Sequence, residues 1–226
     1  MSDLWLRTWA ILWKDLLIEF RTKQGLNAMV FFAGLVLLLF SFAIGPNPEL
    51  LRQLAGGLLW VAIVFTGTVS LGRSFQSEEL AGGLQLMRLY PGERRAIFLG
   101  KLLANLVLLL AVEILLYPVA GVLFQINMWP DALGLAGIAI LGSIGFSTVG
   151  TFYAALTVHL KARELMLPLL VFPALIPLLL AAVNATGGLI LGDAMGQVGG
   201  WVRLLVAYDV ILFVVCVWIF PVVLEE

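Results

Sequence analysis

Residues 102–124 read LLANLVLLLAVEILLYPVAGVLF, a run whose single charged side chain is Glu113. A helix of about 20 residues crosses a hydrocarbon layer roughly 30 Å thick. Backbone amides that find no water there must close their hydrogen bonds inside the segment. The stretch therefore reads as a membrane-spanning helix. Five further runs share its character, at residues 28–44, 54–72, 132–158, 165–183 and 204–224, and four of the six contain no charge at all. Hydrophobic residues make up 62% of the 226-residue chain and charged residues 12%, about half the charged share of a soluble domain. The fold class expected is an all-α integral membrane protein of six spans.

Ahead of the first span, residues 1–25 form an amphipathic segment. At 100° per residue Trp5, Trp9, Leu12, Trp13, Leu16 and Phe20 share one stripe, with Arg7, Lys14, Asp15, Glu19 and Arg21 opposite. Indole rings combine an apolar body with a polar edge, so the segment is expected to lie along the membrane surface. Its charges also interrupt any signal-peptide core, and it is expected to be retained. Eleven of the thirteen Lys and Arg fall before the first span, between the second and third, or between the fourth and fifth; only Arg52 and Arg203 fall on the other side. The positive-inside rule then puts both termini in the cytoplasm. On the outer side the stretch from Asn184 to Arg203 is expected to be a glycine-rich loop that dips into the interface.

A net charge of −1 implies no nucleic-acid partner. Cys216 is the only cysteine and reads as a small buried hydrophobe. His159 is the only histidine, and no group of Asp, Glu, His or Cys has metal-ligand spacing. Residues 92–101 end in Gly-Lys, but the glycines Gly92 and Gly100 are too far apart and Leu102 replaces the hydroxyl residue of a phosphate loop. No catalytic residue, no bound cofactor and no metal are expected.

Within the spans, Glu113 lies where a bare carboxylate costs several kcal/mol unless paired, protonated or wet. It is either a functional group or a neutral acid bonded to a neighbouring helix. Asp209, nearer the outer end, is expected to reach Arg203 or water. Ala139, Ser143, Ser147, Thr151 and Ala155 recur every four residues and make a small-residue packing face, within the chain or between copies. Pro168, Pro173 and Pro177 each remove a hydrogen bond from the fifth span, leaving it bent, or broken and movable.

The longest connection, residues 73–101, is also the most basic. It offers Phe75, Glu78, Glu79, Leu80, Gly82, Gly83, Leu84, Arg88, Pro91, Arg94 and Arg95 to a soluble partner. Glu78 and Glu79 near its start and Arg88 near its end suit a short helix lying along the membrane face.

The run from Leu59-Trp60 through Ser70-Leu71-Gly72-Arg73-Ser74-Phe75, with Glu78-Glu79, Gly82-Gly83-Leu84, Pro91, Ala96-Ile97-Phe98-Leu99-Gly100-Lys101 and Asn105, resembles the CcmB family of haem exporter permeases. Lys14-Asp15, Glu19-Phe20-Arg21, Asn27-Ala28-Met29, Ser41-Phe42-Ala43, and Leu167-Pro168 with Phe172-Pro173 and Ile176-Pro177 are similar to the same family. The resemblance implies an ABC-2-type exporter permease in a bacterial inner membrane, without an ATPase of its own. ATP would be bound by a separate subunit, CcmA; the length, charge and position of residues 76–95 make them the expected coupling helix seated in a groove of that ATPase. The membrane proteins CcmC and CcmD, a second copy of the chain, and the haem chaperone CcmE complete the implied partners, with haem handled by partner subunits. The residues themselves leave two alternatives open, a general exporter permease for another cargo and a non-transporting scaffold.

Overall fold

A computed structural model describes residues 2–80, 94–158, 163–193 and 195–223, with backbone only at residues 2, 3, 76–80, 163, 164 and 223. The described residues contain seven long helices: α1 Ser2–Thr22, α2 Gln24–Ile44, α3 Pro48–Leu80, α4 Arg95–Leu123, α5 Ala132–Thr157, α6 Arg163–Leu191 and α7 Val198–Val223. Among the described residues, six helical stretches of 21 to 29 residues, one in each of α2 to α7, are long and apolar enough to cross a membrane.

Local chemistry sets the corners. Lys23 takes the left-handed conformation at φ 54° between α1 and α2, and Glu19 Oε1 accepts the Leu26 amide at 2.7 Å, capping α2 from the previous helix. Gly45, at φ 73°, ends α2 with its amide on the Ser41 carbonyl, as a C-terminal glycine does. Asn47 Oδ1 then accepts the Leu50 amide at 3.1 Å, and Pro48 opens α3 where a missing amide costs nothing. Asp193 Oδ1 caps α7 by accepting the amides of Gln197 and Val198 at 2.8 and 3.3 Å.

The helices alternate in direction, so α1 and the α3–α4 and α5–α6 connections share one end, here the basic end. Helix α5 is central, packed against α3, α4, α6 and α7, and 15 of its 26 residues are buried. Its glycines make that possible. A Cβ on Gly142 would sit 2.0 Å from Cη2 of Trp60 on α3, and one on Gly145 would sit 2.0 Å from Leu178 on α6 and 2.2 Å from Oδ1 of Asp209 on α7.

One expectation is corrected. The glycine-rich outer stretch is largely helical: α6 runs on to Leu191 and α7 begins at Val198. Gly187 is held by the close passage of Gly56, whose added Cβ would lie 2.8 Å from the Gly187 amide nitrogen, and Arg52 closes the helix end by donating to the Ile190 carbonyl at 3.0 and 3.2 Å. Of the two readings left open for the span with Pro168, Pro173 and Pro177, the helix that continues through its prolines is the one seen. There the Tyr208 hydroxyl supplies a hydrogen bond to the Ala174 carbonyl, between two of the prolines. In α1 the stripe expected to face the membrane is turned away from protein at Trp5, Trp9, Trp13 and Phe20, which are exposed, while Thr8 and Leu12 are buried on the side turned to α4.

Candidate functional site: a polar belt and a side cleft

Glu113 lies in the second half of α4, ten residues before its end, and is 3% exposed. Helix α5 brings Ser143, from the small-residue face, against it, and the Ser143 hydroxyl donates to Glu113 Oε1 at 2.5 Å. Oε2 has no hydrogen-bond partner, and neither has the hydroxyl of Tyr117, one turn further along α4, although Thr186 of α6 lies near that hydroxyl. Each orphaned buried group costs about 1–3 kcal/mol relative to a paired one. Neither of the ion pairs described in this structure involves Glu113. Eight residues toward the basic end, Asn105 Nδ2 donates to Thr151 Oγ1 at 3.0 Å. The face Ala139, Ser143, Ser147, Thr151 and Ala155 is thus wholly buried and belongs to the inside of the chain, where two of its hydroxyls anchor α4. Trp60 Nε1 donates to Thr186 Oγ1 at 2.9 Å, tying α3 to α6 and extending the polar belt across the bundle.

Beside Glu113 a cleft of about 570 Å³ opens between α4 and α5. Glu113 and Tyr117 lie on its floor, Leu135 and Ala139 form the α5 wall, and Trp129 from the α4–α5 connection stands at its outer edge. The rest of the lining is apolar.

Asp209 departs from expectation. It is buried, and both carboxyl oxygens lack a hydrogen-bond partner. Arg203, offered as its partner by sequence, instead donates to the Gly199 carbonyl at 3.1 Å, since both lie on the same helix and face different sides.

At the basic end the structure assembles a brace that sequence reasoning missed. Lys101 is 1% exposed. Its Nζ pairs with Asp15 Oδ2 of α1 at 2.9 Å, donates to the Ser74 carbonyl of α3 at 2.8 Å, and lies 5.4 Å from the centroid of the Phe75 ring. A Cβ on Gly100 would lie 2.7 Å from Cβ of Ile11, so α1 sits hard against α4 here. The signal was present as Lys14-Asp15 and Gly100-Lys101, but 86 residues separate the two partners.

The brace decides the standing of the residues assigned to a soluble partner. Phe75 is 2% exposed, packed under Lys101, and offers no surface. Arg94 Nη1 donates to the Pro221 carbonyl of α7 at 3.3 Å, and Arg95 is exposed beside it. Glu78, Glu79 and Leu80 continue the backbone of α3. Gly82, Gly83, Leu84, Arg88 and Pro91 lie outside the described residues.

The bundle and its internal polar belt define a polytopic α-helical membrane protein of the permease type, with most of its mass in the spans and a braced amphipathic helix at one end. A model of the CcmB protein family matches residues 6–225, and the chain belongs to that family. Similar relatives carry the name "Heme exporter protein B". The one from Rhodobacter capsulatus is 34% identical over 171 residues, 76% of this chain and 78% of the relative. That from Haemophilus influenzae is 33% identical over 174 residues, 76% and 77% respectively. That from Escherichia coli K12 is 32% identical over 178 residues, 78% and 80%.

Proposed function

We propose that the chain is the permease component of a haem-exporting ABC complex in cytochrome c biogenesis, converting ATP hydrolysis by a separate ATPase into movement of its spans. The observation that carries this reading is the match to the CcmB family over nearly the whole chain, joined to relatives named for haem export. The chain supplies no catalytic step itself. ATP belongs to a cytoplasmic subunit of the CcmA kind, and haem to membrane partners of the CcmC and CcmD kind and the chaperone CcmE. A second copy of the chain completes a symmetric pair.

In this reading the basic end faces the cytoplasm of a bacterial inner membrane, since eleven of thirteen Lys and Arg cluster there. The ATPase docks on residues 76–95. A push on that connection enters the bundle at both of its roots, Ser74 on α3 and Lys101 on α4, which are bonded to each other and to α1. Helix α5, locked to α4 through Ser143 and Thr151, carries it inward. Reversing two charges, Glu78→Lys with Glu79→Lys, is expected to release the ATPase from a pull-down on the tagged permease. Undiminished recovery of the ATPase sinks the docking assignment.

A further inference from the structure

A groove on the flank of the basic half is distinct from the cleft beside Glu113. Among the described residues α2 and α6 both pack against α3 but not against each other, so a strip of α3 lies uncovered between them. Phe65, Thr68, Val69, Gly72 and Arg73 form that strip at helical spacing. Phe32 of α2 stands on one side of it and Pro168 and Phe172 of α6 on the other, around a volume of about 440 Å³. Phe32, Phe65 and Val69 are exposed, which opens the groove to the side of the bundle. The two hydroxyls on its wall are already used inside their own helices. Thr68 donates to the Val64 carbonyl at 2.7 Å, and Thr157 to the Tyr153 carbonyl at 2.8 Å. The interior therefore asks for no polar group.

Length and charge select the occupant. At the deep end the Phe65 ring meets Phe172 edge-on, with centroids 6.0 Å apart. Arg73 lies eight residues further along α3, about 12 Å along the helix. That distance is most of one leaflet, which is half of a hydrocarbon layer about 30 Å thick. Arg73 stands exposed at the mouth. It donates to Gln24 Oε1 at 3.5 Å, which brings the exposed Lys23 to the same corner. Glu19, the acid of that corner, accepts the Leu26 amide at 2.7 Å. An apolar groove one leaflet deep, with cations at its surface end, matches a glycerophospholipid with its chain inward and its phosphate outward. A second copy fits less well, because a two-fold axis along the membrane normal would set the basic rim against itself. We propose that the groove between α2 and α6 binds an anionic glycerophospholipid of the leaflet at the basic end, one acyl chain lying along α3 and the phosphate facing Arg73 and Lys23. The proposal concerns binding alone and is independent of the cargo and the coupling proposed above.

The test titrates the full chain, purified in dodecyl maltoside, with dioleoyl phosphatidylglycerol and separately with dioleoyl phosphatidylcholine, and counts adducts by native mass spectrometry. A saturable phosphatidylglycerol adduct is expected, with phosphatidylcholine at least about fivefold weaker. Arg73→Gln is expected to raise the phosphatidylglycerol midpoint roughly fivefold, the scale of one cation at a membrane surface. Arg73→Lys keeps the charge and is expected to stay within about twofold of the parent. Gly72→Leu fills the groove and leaves both cations in place. An added Cβ there meets only Leu167, at 3.8 Å, so the backbone tolerates it, and loss of the saturable adduct with an unchanged gel-filtration profile is expected. Equal midpoints for the two lipids, or a midpoint unmoved by Arg73→Gln and Gly72→Leu, overturns the proposal. A dimer in lipid-free detergent that Gly72→Leu splits into monomers assigns the groove to a second copy and overturns it as well.

Discussion

Cutting the Asp15 to Lys101 pair tests how α1 is fastened. Lys101 Nζ has a carboxylate at 2.9 Å and a carbonyl at 2.8 Å, and its side chain is only 2% exposed, against 15% for Asp15. Asp15→Ala takes this carboxylate away from the buried cation, a change that costs up to about 3–5 kcal/mol when no water enters. The Ser74 carbonyl remains, so the lower end, about 3 kcal/mol, is expected. Lys101→Met removes the cation at similar volume, and Asp15 keeps Lys14 at 3.2 Å and its exposed edge; about 1 kcal/mol is expected, because an ion pair replaced by a hydrophobe is often near neutral. The double variant is expected to match Lys101→Met and to be more stable than Asp15→Ala alone. Equilibrium unfolding of the detergent-solubilised protein by SDS measures this, with Trp5, Trp9 and Trp13 on α1 reporting its release. Asp15→Ala no worse than Lys101→Met would falsify the brace as a buried charge pair.

Gly142→Ala is expected to cost about 1–3 kcal/mol by overpacking, because the new methyl would lie 2.0 Å from the Trp60 ring; Trp60→Phe should relieve it, and additive losses in a double-mutant cycle contradict the contact. Trp60→Phe alone gives up the bond to Thr186 and is expected to lower stability by about 1 kcal/mol in the same unfolding assay. Asp209→Leu removes two buried oxygens without partners and is expected to leave stability unchanged or to raise it by up to about 2 kcal/mol. A fall of the unfolding midpoint would show that the carboxyl has a partner.

The spans were legible because their signal is local: six runs long enough to cross hydrocarbon need no knowledge of what they touch. Four-residue spacing of Ala139, Ser143, Ser147, Thr151 and Ala155 gave the packing face for the same reason. What faced it was not legible, since Ser143 meets Glu113 and Thr151 meets Asn105 across two helices. The helical continuation of α6 through Gly187 and Gly188 was hidden by composition, because glycine reads as loop in water yet permits close backbone approach in a bundle. Lys101 read as one more basic residue of the long connection, although it is the most deeply buried charge in the described chain. Only tertiary pairing with Asp15 distinguishes it.

This CcmB-family chain is proposed above to serve haem export for cytochrome c assembly. Its most direct test deletes the gene in a host that matures c-type cytochromes and scores covalent haem staining with haem supplied outside, with the deleted gene restored as a control. Loss of holocytochrome with haem-loaded chaperone accumulating is expected, both reversed on restoration. Normal holocytochrome in the deletion strain contradicts it.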